Sequence, residues 1–540
     1  MSYSINKQLR WAWRVTKGHR STMLFYVLLG AVSVALSLGF VYASKHAVDV
    51  ATGAVAGNLT RTCIWIVATV AAGIGAEQAA SWMCEVMKYR LKMGVQSSLT
   101  NAQMTGAWEM AKRWHTGDLL VRIREDGAEL VQMLAQTLPS FGVTCIKLAA
   151  SLVFLWFMDP TLALLVLVIS PLFLFSKLYY KKMRRLSEAV KRAESHLGVL
   201  MQENLKLRLL VRALNITGVR RDRLEDSQQS LFALKMKQLR FATCSQLILR
   251  VAFNGGYLLA FIWGVYRLQH AEISFGTLAA FLQLVGRIQT PVLTAVSFVP
   301  AAVRCLAAVQ RLMELDDTKR EMEEQLVRFV LPAALQLENL SFCYEDRQVL
   351  DKVNMCIRSG EPVAITGATG KGKTTLMRLL LGLITPQEGG IWIDAVKTIP
   401  ISVATRVNFA YVPQGNSLFS GTIRDNLLQV RAEASDNEIW EALTLACAGF
   451  VYSLPQGLDT LLGEAGQGLS EGQAQRIAVA RALLQGGNIW LFDEVTSALD
   501  VHTAACLTQN LLEAGKDKMI IFVTHDSRLM EHCSQIIRLD

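Results

Sequence analysis

Six apolar stretches of about 20 residues dominate the first part of the chain, and each is long enough to cross a lipid bilayer as an α-helix. They are Thr22–Ser44, Cys63–Met83, Leu138–Phe157, Thr161–Tyr179, Leu247–Tyr266 and Phe275–Val299. The second stretch is the weakest, because Glu77 and Gln78 interrupt it. The third and fourth are separated only by Met158-Asp159-Pro160, which predicts a tight turn between two helices. The pattern therefore predicts an all-α membrane domain with six transmembrane helices.

The composition agrees with a membrane protein. Of 540 residues, 52% are hydrophobic and only 19% are charged, whereas soluble proteins carry about 25% charged residues. This hydrophobicity excludes an intrinsically disordered chain, which would combine few apolar residues with a high net charge. The 55 Lys and Arg residues exceed the 45 Asp and Glu residues, giving a net charge of +10. Such an excess is compatible with a nucleic-acid partner or with an anionic membrane surface.

The positions of the basic residues decide between these two partners. They cluster before the first span (Lys7, Arg10, Arg14, Lys17, Arg20), between the second and third (Lys88, Arg90, Lys92, Lys112, Arg113, Arg122, Arg124) and after the fourth (Lys177, Lys181, Lys182, Arg184, Arg185, Lys191, Arg192). The opposite loops hold only Lys45, Arg61 and Arg267. Because positive charge marks the cytoplasmic side, we expect both termini in the cytoplasm. The basic excess then reflects topology, and no nucleic-acid partner is predicted.

The two cytoplasmic connections are unusually long. Both keep a helical spacing of apolar residues through most of their length, which predicts transmembrane helices that continue as long cytoplasmic helical extensions. The pattern breaks at His115-Thr116-Gly117-Asp118 and around Asn215-Ile216-Thr217-Gly218. We expect helical hairpins to turn at these two places.

The second part of the chain has the pattern of a soluble α/β domain. Short β-rich runs at Ala334–Phe342, Pro362–Ile365, Val407–Val412, Asn488–Phe492 and Met519–Val523 alternate with helical patterns. This alternation predicts a mainly parallel sheet core. The predicted domains are a membrane domain with its coupling loops at 1–315, a linker at 316–333 and a nucleotide-binding domain at 334–540.

A phosphate-binding loop lies at residues 367–374, where Gly-Ala-Thr-Gly-Lys-Gly-Lys-Thr fits the pattern G-x-x-x-x-G-K-[ST]. It follows the predicted strand Pro362–Ile365 and precedes the predicted helix Thr375–Leu381, which argues against a chance glycine-rich turn. Its backbone amides and the helix N-terminus would surround phosphate oxygens. Lys373 would reach the β- and γ-phosphates, and the Thr374 hydroxyl would bind Mg²⁺. The predicted nucleotide-binding residues here are Gly367, Thr369, Gly370, Lys371, Gly372, Lys373, Thr374 and Thr375.

Two carboxylates follow the apolar run Ile489–Phe492. Asp493 suits a water-mediated Mg²⁺ ligand, and Glu494 suits a base that polarises the attacking water. Buried strands often end in acidic residues, so this pair alone is a weak signal. Downstream of a phosphate loop, it predicts a P-loop ATPase domain.

Five further motifs follow a fixed order around these two. They are Tyr344; Gln414 in Tyr411-Val412-Pro413-Gln414; the sequence Leu469-Ser470-Glu471-Gly472-Gln473; Ser497-Ala498-Leu499-Asp500; and His525 in Val523-Thr524-His525-Asp526. In this order the chain resembles the ABC transporter superfamily, whose signature usually reads LSGGQ. With six spans ahead of the ATPase domain, it resembles a half-transporter of the exporter type.

The resemblance implies a dimer with two ATP molecules, each lying between the phosphate loop of one chain and the signature of the other. Tyr344 would stack on adenine, and Ser470, Gly472 and Gln473, with Asp500, would contact the nucleotide. Gln414 and Asp493 would join Thr374 around Mg²⁺. Glu494, His525 and Gln414 would be the catalytic residues.

Two residues depart from the family pattern. Glu471 replaces the first glycine of the signature and brings a carboxylate near a phosphate site, which should weaken ATP binding unless the side chain points away. Lys371 stands in the phosphate loop where a small residue is more usual. In asymmetric pairs of the family, the chain that keeps the glutamate often has the altered signature. The partner is therefore predicted to be a second half-transporter, with homodimer and heterodimer both open.

The cargo is the least constrained part of the prediction. Glu77, Lys147 and Arg287, helped by Gln78, Asn254 and Gln289, are ionisable or polar residues inside predicted spans and are candidates for a substrate site. Glu77 and Lys147 could form a pair or line a cavity; they could equally lie near span ends and face water.

We expect ATP-driven export of a small molecule, peptide or lipid by alternating access, by a multi-pass protein in the lipid bilayer of a bacterial inner membrane. The alternative is a membrane-bound ATP-binding regulator or an ATP-gated channel, against which the intact Glu494 and His525 argue.

Overall fold

The computed structural model describes residues 3–108, 114, 116–158, 160–161, 176–317, 321, 325–330, 334–345, 347–368, 370–394, 398–463 and 466–539. The chain forms two compact units. One, the helical unit, comprises Met1–Met104 and His115–Asp317; the other, the mixed unit, comprises Thr105–Trp114 and Thr318–Asp540.

Long helices form the described part of the helical unit. They are α1 (Ile5–Val15), α2 (Arg20–Ala51), α3 (Leu59–Met104), α4 (Thr116–Val121), α5 (Gly127–Gln132), α6 (Leu138–Met158), α7 (Ser176–Lys206), α8 (Arg208–Ala213), α9 (Thr217–Gln269) and α10 (Phe275–Asp316). Two π-helical turns, Arg122–Asp126 and Met133–Thr137, join α4 to α5 and α5 to α6. The helical character of the predicted membrane domain is confirmed.

Within the described residues, three helical stretches are long and apolar enough to cross a membrane: Arg20–Ala51, Leu59–Met104 and Gly117–Met158. They contain the first three predicted spans. The fifth and sixth predicted spans lie inside α9 and α10, where Phe275–Ile288 is a shorter apolar helix. The fourth, Thr161–Tyr179, falls mostly outside the described residues.

Both predicted helix breaks have counterparts, one of them displaced. Asn215 has a positive φ of 53° between α8 and α9, and asparagine tolerates this conformation better than most residues, so the second break is confirmed. The first break begins earlier than predicted, because α3 ends at Met104, and the next helix with described bounds starts at Thr116. Gly106, a weak helix former, lies two residues after the end of α3.

The helical unit is held by an apolar cluster and by an ion pair with a buried carboxylate. Val41 of α2, Leu155 of α6 and Phe281 of α10 are fully buried against one another. Nearer the end of α10, the Arg311 Nε donates to Asp126 Oδ2 over 2.6 Å, and Asp126 is only 6% exposed. Many other apolar side chains of these helices are exposed, as expected for surfaces in contact with lipid.

The mixed unit contains eleven described strands. They are β1 (Ala334–Tyr344), β2 (Arg347–Arg358), β3 (Val363–Thr366), β4 (Glu388–Asp394), β5 (Thr398–Pro400), β6 (Phe409–Val412), β7 (Gly421–Thr422), β8 (Leu461–Leu462), β9 (Ile489–Asp493), β10 (Met519–Val523) and β11 (Gln535–Arg538). Its helices are α11 (Lys373–Leu380), α12 (Ile423–Leu428), α13 (Asp436–Leu445), α14 (Glu471–Gln485), α15 (Val501–Ala514) and α16 (Ser527–Glu531).

These strands form a parallel sheet in the order β11-β3-β10-β9-β6, an antiparallel sheet in the order β2-β1-β4-β5 and the pair β7-β8. The predicted parallel core is confirmed, and the run from Ala334 belongs to the separate antiparallel sheet. Strands β9 and β10 are buried along their whole length, which is typical of a parallel sheet covered on both faces.

Candidate functional site

Four strands of the parallel sheet end at the same edge, and each is followed by a predicted site residue. The phosphate loop follows β3, His525 follows β10, Glu494 follows β9, and Gln414 follows β6. Because carboxyl ends of neighbouring parallel strands share an edge, segments far apart in sequence converge here.

The phosphate loop has a backbone that requires glycine. Gly372 has a φ of 90°, and a Cβ there would lie 2.9 Å from side-chain carbons of Val349 and Leu350. Helix α11 begins at the next residue, Lys373, two residues earlier than predicted. The Lys373 Nζ donates to the Gly367 carbonyl oxygen over 2.6 Å, so the cation lies over the loop. A cation above a helix N-terminus suits a phosphate group.

Lys373 also contacts His525. Its Nζ lies 2.5 Å from the His525 Nε2, and since an ammonium group can only donate, that ring nitrogen must accept. The structure therefore brings His525, one of the predicted catalytic residues, directly to the phosphate loop. There the Lys373 and His525 side chains would meet the same phosphate group.

Glu494 is held in an unusual backbone conformation beside Gln414. The Gln414 Nε2 donates to Glu494 Oε2 over 2.6 Å. Glu494 has a φ of 52°, which a residue other than glycine rarely adopts. Its amide donates to the Val523 carbonyl over 2.8 Å, and its own carbonyl accepts from Gln475 Nε2 and from the Ser497 hydroxyl, each over 2.8 Å. These hydrogen bonds to the two peptide groups that flank Glu494 fix the backbone of the residue that was predicted as the base.

Sequence reasoning missed Gln475, which is only 3% exposed. A signal was present, because Val479 and Ala482, one and two helical turns further along α14, are both buried. A polar residue on an apolar helix face is a candidate for a buried hydrogen bond.

Asp493 is a carboxylate short of positive partners. It is 6% exposed, and burial together with the Glu494 charge raises its pKa to about 6, although Lys373 and Arg378 act in the opposite direction. Arg378 was not predicted from the sequence. Its Nη1 donates to the Tyr344 hydroxyl over 3.0 Å, which orients the ring predicted to stack on adenine.

The residues present fit a magnesium ion bound together with a nucleotide. The Thr374 hydroxyl, the Gln414 amide and the Asp493 carboxylate are the hard oxygen donors that Mg²⁺ prefers, and a divalent cation would compensate the Asp493 charge. Among the described residues, no group of three or more His, Cys, Asp or Glu side chains could hold a metal ion by itself.

The signature residues lie at the start of α14. Ser470 is the N-cap, its hydroxyl accepts from the Gln473 amide over 3.3 Å, and the Gln473 side chain accepts from the Ser470 amide over 2.9 Å. A Cβ on Gly472 would lie 2.5 Å from the Ala498 carbonyl oxygen, so only glycine fits there. Glu471 is exposed in the first turn, and Asp500 caps α15 by accepting from the Thr503 amide over 3.0 Å.

The remaining predicted nucleotide-binding residues are less informative. Thr369 lies outside the described residues. Gly370 and Lys371 are exposed within the loop, and Thr375 is buried in the first turn of α11.

The candidate substrate residues belong to the helical unit. Arg287 is half-buried on α10, with its Cζ 5.8 Å from the centre of the Phe40 ring. Glu77 is exposed on α3 and Lys147 is half-buried on α6; among the described residues, no ion pair joins them, so the pairing hypothesis is wrong for this structure. Gln78 and Asn254 are exposed, and the Gln289 side chain is not described.

Comparisons with known proteins agree with these features. The family profile described as "ABC transporter transmembrane region" matches residues 23–292, and the profile described as "ABC transporter" matches residues 350–497. The chain is 25% identical over 488 residues to an uncharacterised ABC transporter ATP-binding protein of Bacillus subtilis, covering 89% of this chain and 85% of that relative. It is 27% identical over 430 residues to an ATP-dependent lipid A-core flippase of Syntrophus aciditrophicus, covering 78% and 72%.

A solved structure has a similar fold. It is a bacterial Atm1-family ABC exporter with ATP bound, with a TM-score of 0.82, 23% identity and coverage of 97% of this chain and 94% of that one. The chain belongs to the ABC transporter family, as an ATP-hydrolysing exporter whose transmembrane region and ATP-binding domain share one polypeptide.

Proposed function

We propose that residues 1–315 are the transmembrane domain, 316–333 a linker and 334–540 the nucleotide-binding domain. The chain is a multi-pass membrane protein, and we propose that both termini face the cytoplasm of a bacterium. The asymmetry of lysine and arginine between the loops supports this orientation.

We propose that Glu494 is the general base for ATP hydrolysis. The observation that carries this role is the 2.6 Å hydrogen bond from Gln414 Nε2 to Glu494 Oε2, at the sheet edge that also holds the phosphate loop. Lys373 would bind the β- and γ-phosphates, and His525, whose ring nitrogen lies beside the Lys373 ammonium group, would contact the γ-phosphate. Bound Mg²⁺, held by Thr374, Gln414 and Asp493, would neutralise charge on the phosphates.

The half-transporter pairs with another half-transporter, and we propose that the signature residues Ser470, Gly472 and Gln473 complete the ATP site of the partner. Helix α14 begins at these residues, so its amides and positive end can meet a phosphate group. Whether the partner is a second copy or a different chain is tested by native mass spectrometry of the purified complex: a mass of twice one chain indicates a homodimer.

We propose that the cargo is a lipid-like amphiphile with an anionic head group. Arg287 lies in the middle of the predicted sixth span, where an ionisable group is costly and points to a functional role. Its guanidinium stacks over Phe40, and the Gln283 amide nearby donates to the Ser44 hydroxyl over 3.2 Å. A cation and polar groups beside an aromatic ring suit a molecule with both an anionic and an apolar part. One relative is named a lipid A-core flippase, which is consistent with such a cargo.

Reconstituted vesicles test the coupling of ATP hydrolysis to transport. We expect Glu494→Gln to abolish both phosphate release and movement of a labelled amphiphile, and Glu513→Gln, at an exposed glutamate remote from the site, to preserve both. Equal phosphate release by wild type and Glu494→Gln would instead favour the ATP-binding regulator or ATP-gated channel.

A second experiment tests the cargo class. Anionic and zwitterionic amphiphiles with the same acyl chain are compared as stimulators of ATP hydrolysis, in the wild type, in Arg287→Gln and in Arg250→Gln, an exposed arginine of the fifth span. We expect stimulation by the anionic compound alone, lost in Arg287→Gln and kept in Arg250→Gln. Stimulation by cationic drugs that does not depend on Arg287 would refute the proposal.

A further inference from the structure

Two cysteine sulfurs of the mixed unit lie in direct contact. The Cys447 Sγ is 3.1 Å from the Cys506 Sγ, although 59 positions separate the two residues in the chain. Cys447 follows the end of α13, and Cys506 lies in α15. A disulfide has a sulfur–sulfur distance of about 2.05 Å, so a bond requires an approach of roughly 1 Å.

The two thiols have different surroundings. Cys506 is exposed, whereas Cys447 is partly buried, with its thiol donating to the Cys506 sulfur and Asn510 Nδ2 3.5 Å away. Burial raises the pKa of Cys447 and keeps it protonated. Cys506 is therefore the thiol that a dissolved reagent reaches first, and Cys447 is the neighbour placed to react with it next.

A metal ion explains this pair less well than thiol chemistry does. Structural zinc takes four ligands, and within the described residues no third His, Cys, Asp or Glu joins these two cysteines in a metal-binding group. Two adjacent thiols, one accessible and one sheltered, are instead the arrangement of a redox-sensing dithiol.

We propose that Cys447 and Cys506 are a redox-active dithiol that hydrogen peroxide converts into an intramolecular disulfide. The Cys506 thiolate attacks one peroxide oxygen, the O–O bond breaks, and the products are a sulfenic acid and, after proton uptake, water. The Cys447 sulfur then attacks the Cys506 sulfur. The S–O bond breaks, the hydroxide takes the Cys447 proton, and a second water leaves. Both thiols are oxidised, one peroxide is reduced to two waters, and an external thiol reverses the bond.

The disulfide would act on the signature helix. Arg476 of α14 donates through Nη1 to the Cys447 carbonyl over 2.7 Å and through Nε to the Gly472 carbonyl over 3.2 Å. A shift of Cys447 towards Cys506 would therefore be transmitted through Arg476 to the turn that carries Gly472. This consequence rests on the proposed role of the signature in ATP hydrolysis, whereas formation of the disulfide does not.

Peptide mass spectrometry of the full-length, reduced protein after treatment with hydrogen peroxide tests the proposal. We expect a cross-linked peptide pair containing residues 447 and 506, two hydrogens lighter than the reduced pair and restored by dithiothreitol. Cys506→Ser, at an exposed position that tolerates serine, and Cys447→Ser each abolish the cross-link. Cys533→Ser, at a partly buried thiol of the same unit, retains it.

Two results would overturn the proposal. Both thiols could remain reduced while the exposed Cys356 is already oxidised, or Cys506 could proceed to sulfinic acid without any cross-link. ATP hydrolysis is measured on the same samples, and we expect at least a threefold loss on oxidation that dithiothreitol reverses and that Cys506→Ser does not show. A disulfide without loss of activity would support the dithiol and refute its coupling to the signature helix.

Discussion

Gln475 should control ATP turnover without touching the nucleotide. Its side chain is buried and donates to the carbonyl of Glu494, the residue whose positive φ aims the proposed base. We expect Gln475→Leu, which keeps the volume and removes the donor, to release the Glu494 peptide from this conformation. Glu494 would still be present, so the loss would come from its altered position.

The size of the effect follows from the hydrogen bonds involved. A left-handed conformation costs a residue other than glycine about 1–2 kcal/mol, and one hydrogen bond contributes about 1 kcal/mol net. The Ser497 hydroxyl still donates to the same carbonyl in the variant. The Ser497 amide also donates to this carbonyl, over 3.2 Å. Removing one of three bonds therefore leaves the native orientation about 1 kcal/mol less favoured, which corresponds to a roughly fivefold fall in kcat. Adding Ser497→Ala should deepen the loss more than additively, because both residues hold one oxygen.

Steady-state phosphate release in vesicles measures this effect, and a fluorescent ATP analogue measures nucleotide affinity. We expect kcat to fall with little change in affinity, since Gln475 lies behind the site. Gln485→Leu is a matched control. Gln485 lies on the same helix, but it donates to the carbonyl of Phe409 at the start of β6, whereas the site lies beyond the end of that strand. An unchanged kcat in Gln475→Leu, or equal losses in both variants, would refute the reasoning.

Three further predictions concern stability and packing. Because the pKa of Asp493 is raised to about 6, the folded protein without nucleotide loses stability as the pH rises from about 4 to 6, by at most about 3 kcal/mol. Thermal unfolding at a series of pH values should show that Asp493→Asn removes this loss. A variant with the same pH profile as the wild type would contradict the prediction. Asp126→Asn should lower the free energy of unfolding by about 1–2 kcal/mol, a loss kept small because the arginine partner is half-exposed. Glu129→Gln, in a more exposed pair, should cost under about 0.5 kcal/mol. Thermal unfolding measures both. Gly472→Ala should lower ATP turnover and should lower stability by about 1–3 kcal/mol, because the new Cβ would lie 2.5 Å from the Ala498 carbonyl oxygen. A fully active and equally stable variant would rule out this contact.

The elements of the ATP site were predictable because each carries a local signal. The parallel strands are continuous apolar runs, and the phosphate loop combines glycines with a lysine at a fixed spacing. Helix α11 starts at Lys373, two residues before its predicted start. The hydropathy of the membrane half likewise predicted helices whose apolar surfaces lie exposed.

What could not be predicted are contacts between segments that only the fold brings together. Arg378 meets Tyr344 across two elements, and no spacing in the sequence relates them. The same is true of the Cys447 and Cys506 sulfurs, because neither residue has another cysteine near it in the sequence. The pairing of Glu77 with Lys147 failed for a related reason: hydropathy places a residue at a depth in the membrane but leaves its direction around the helix axis undetermined.

Glu471, which departs from the usual signature sequence, has a favourable position in its own helix. It is the first residue of α14, and a carboxylate there interacts favourably with the positive end of the helix. The helix it begins also carries Gln475, which holds Glu494, and Arg476, which binds the Gly472 carbonyl. A negative charge that stabilises this helix start therefore supports the hydrolytic site of its own chain, while it would repel a phosphate presented by the partner. On the proposed role of the signature, Glu471 would support the ATP site of its own chain and weaken the one it completes on the partner. In a homodimer both sites would receive both effects, so only a heterodimer would become asymmetric.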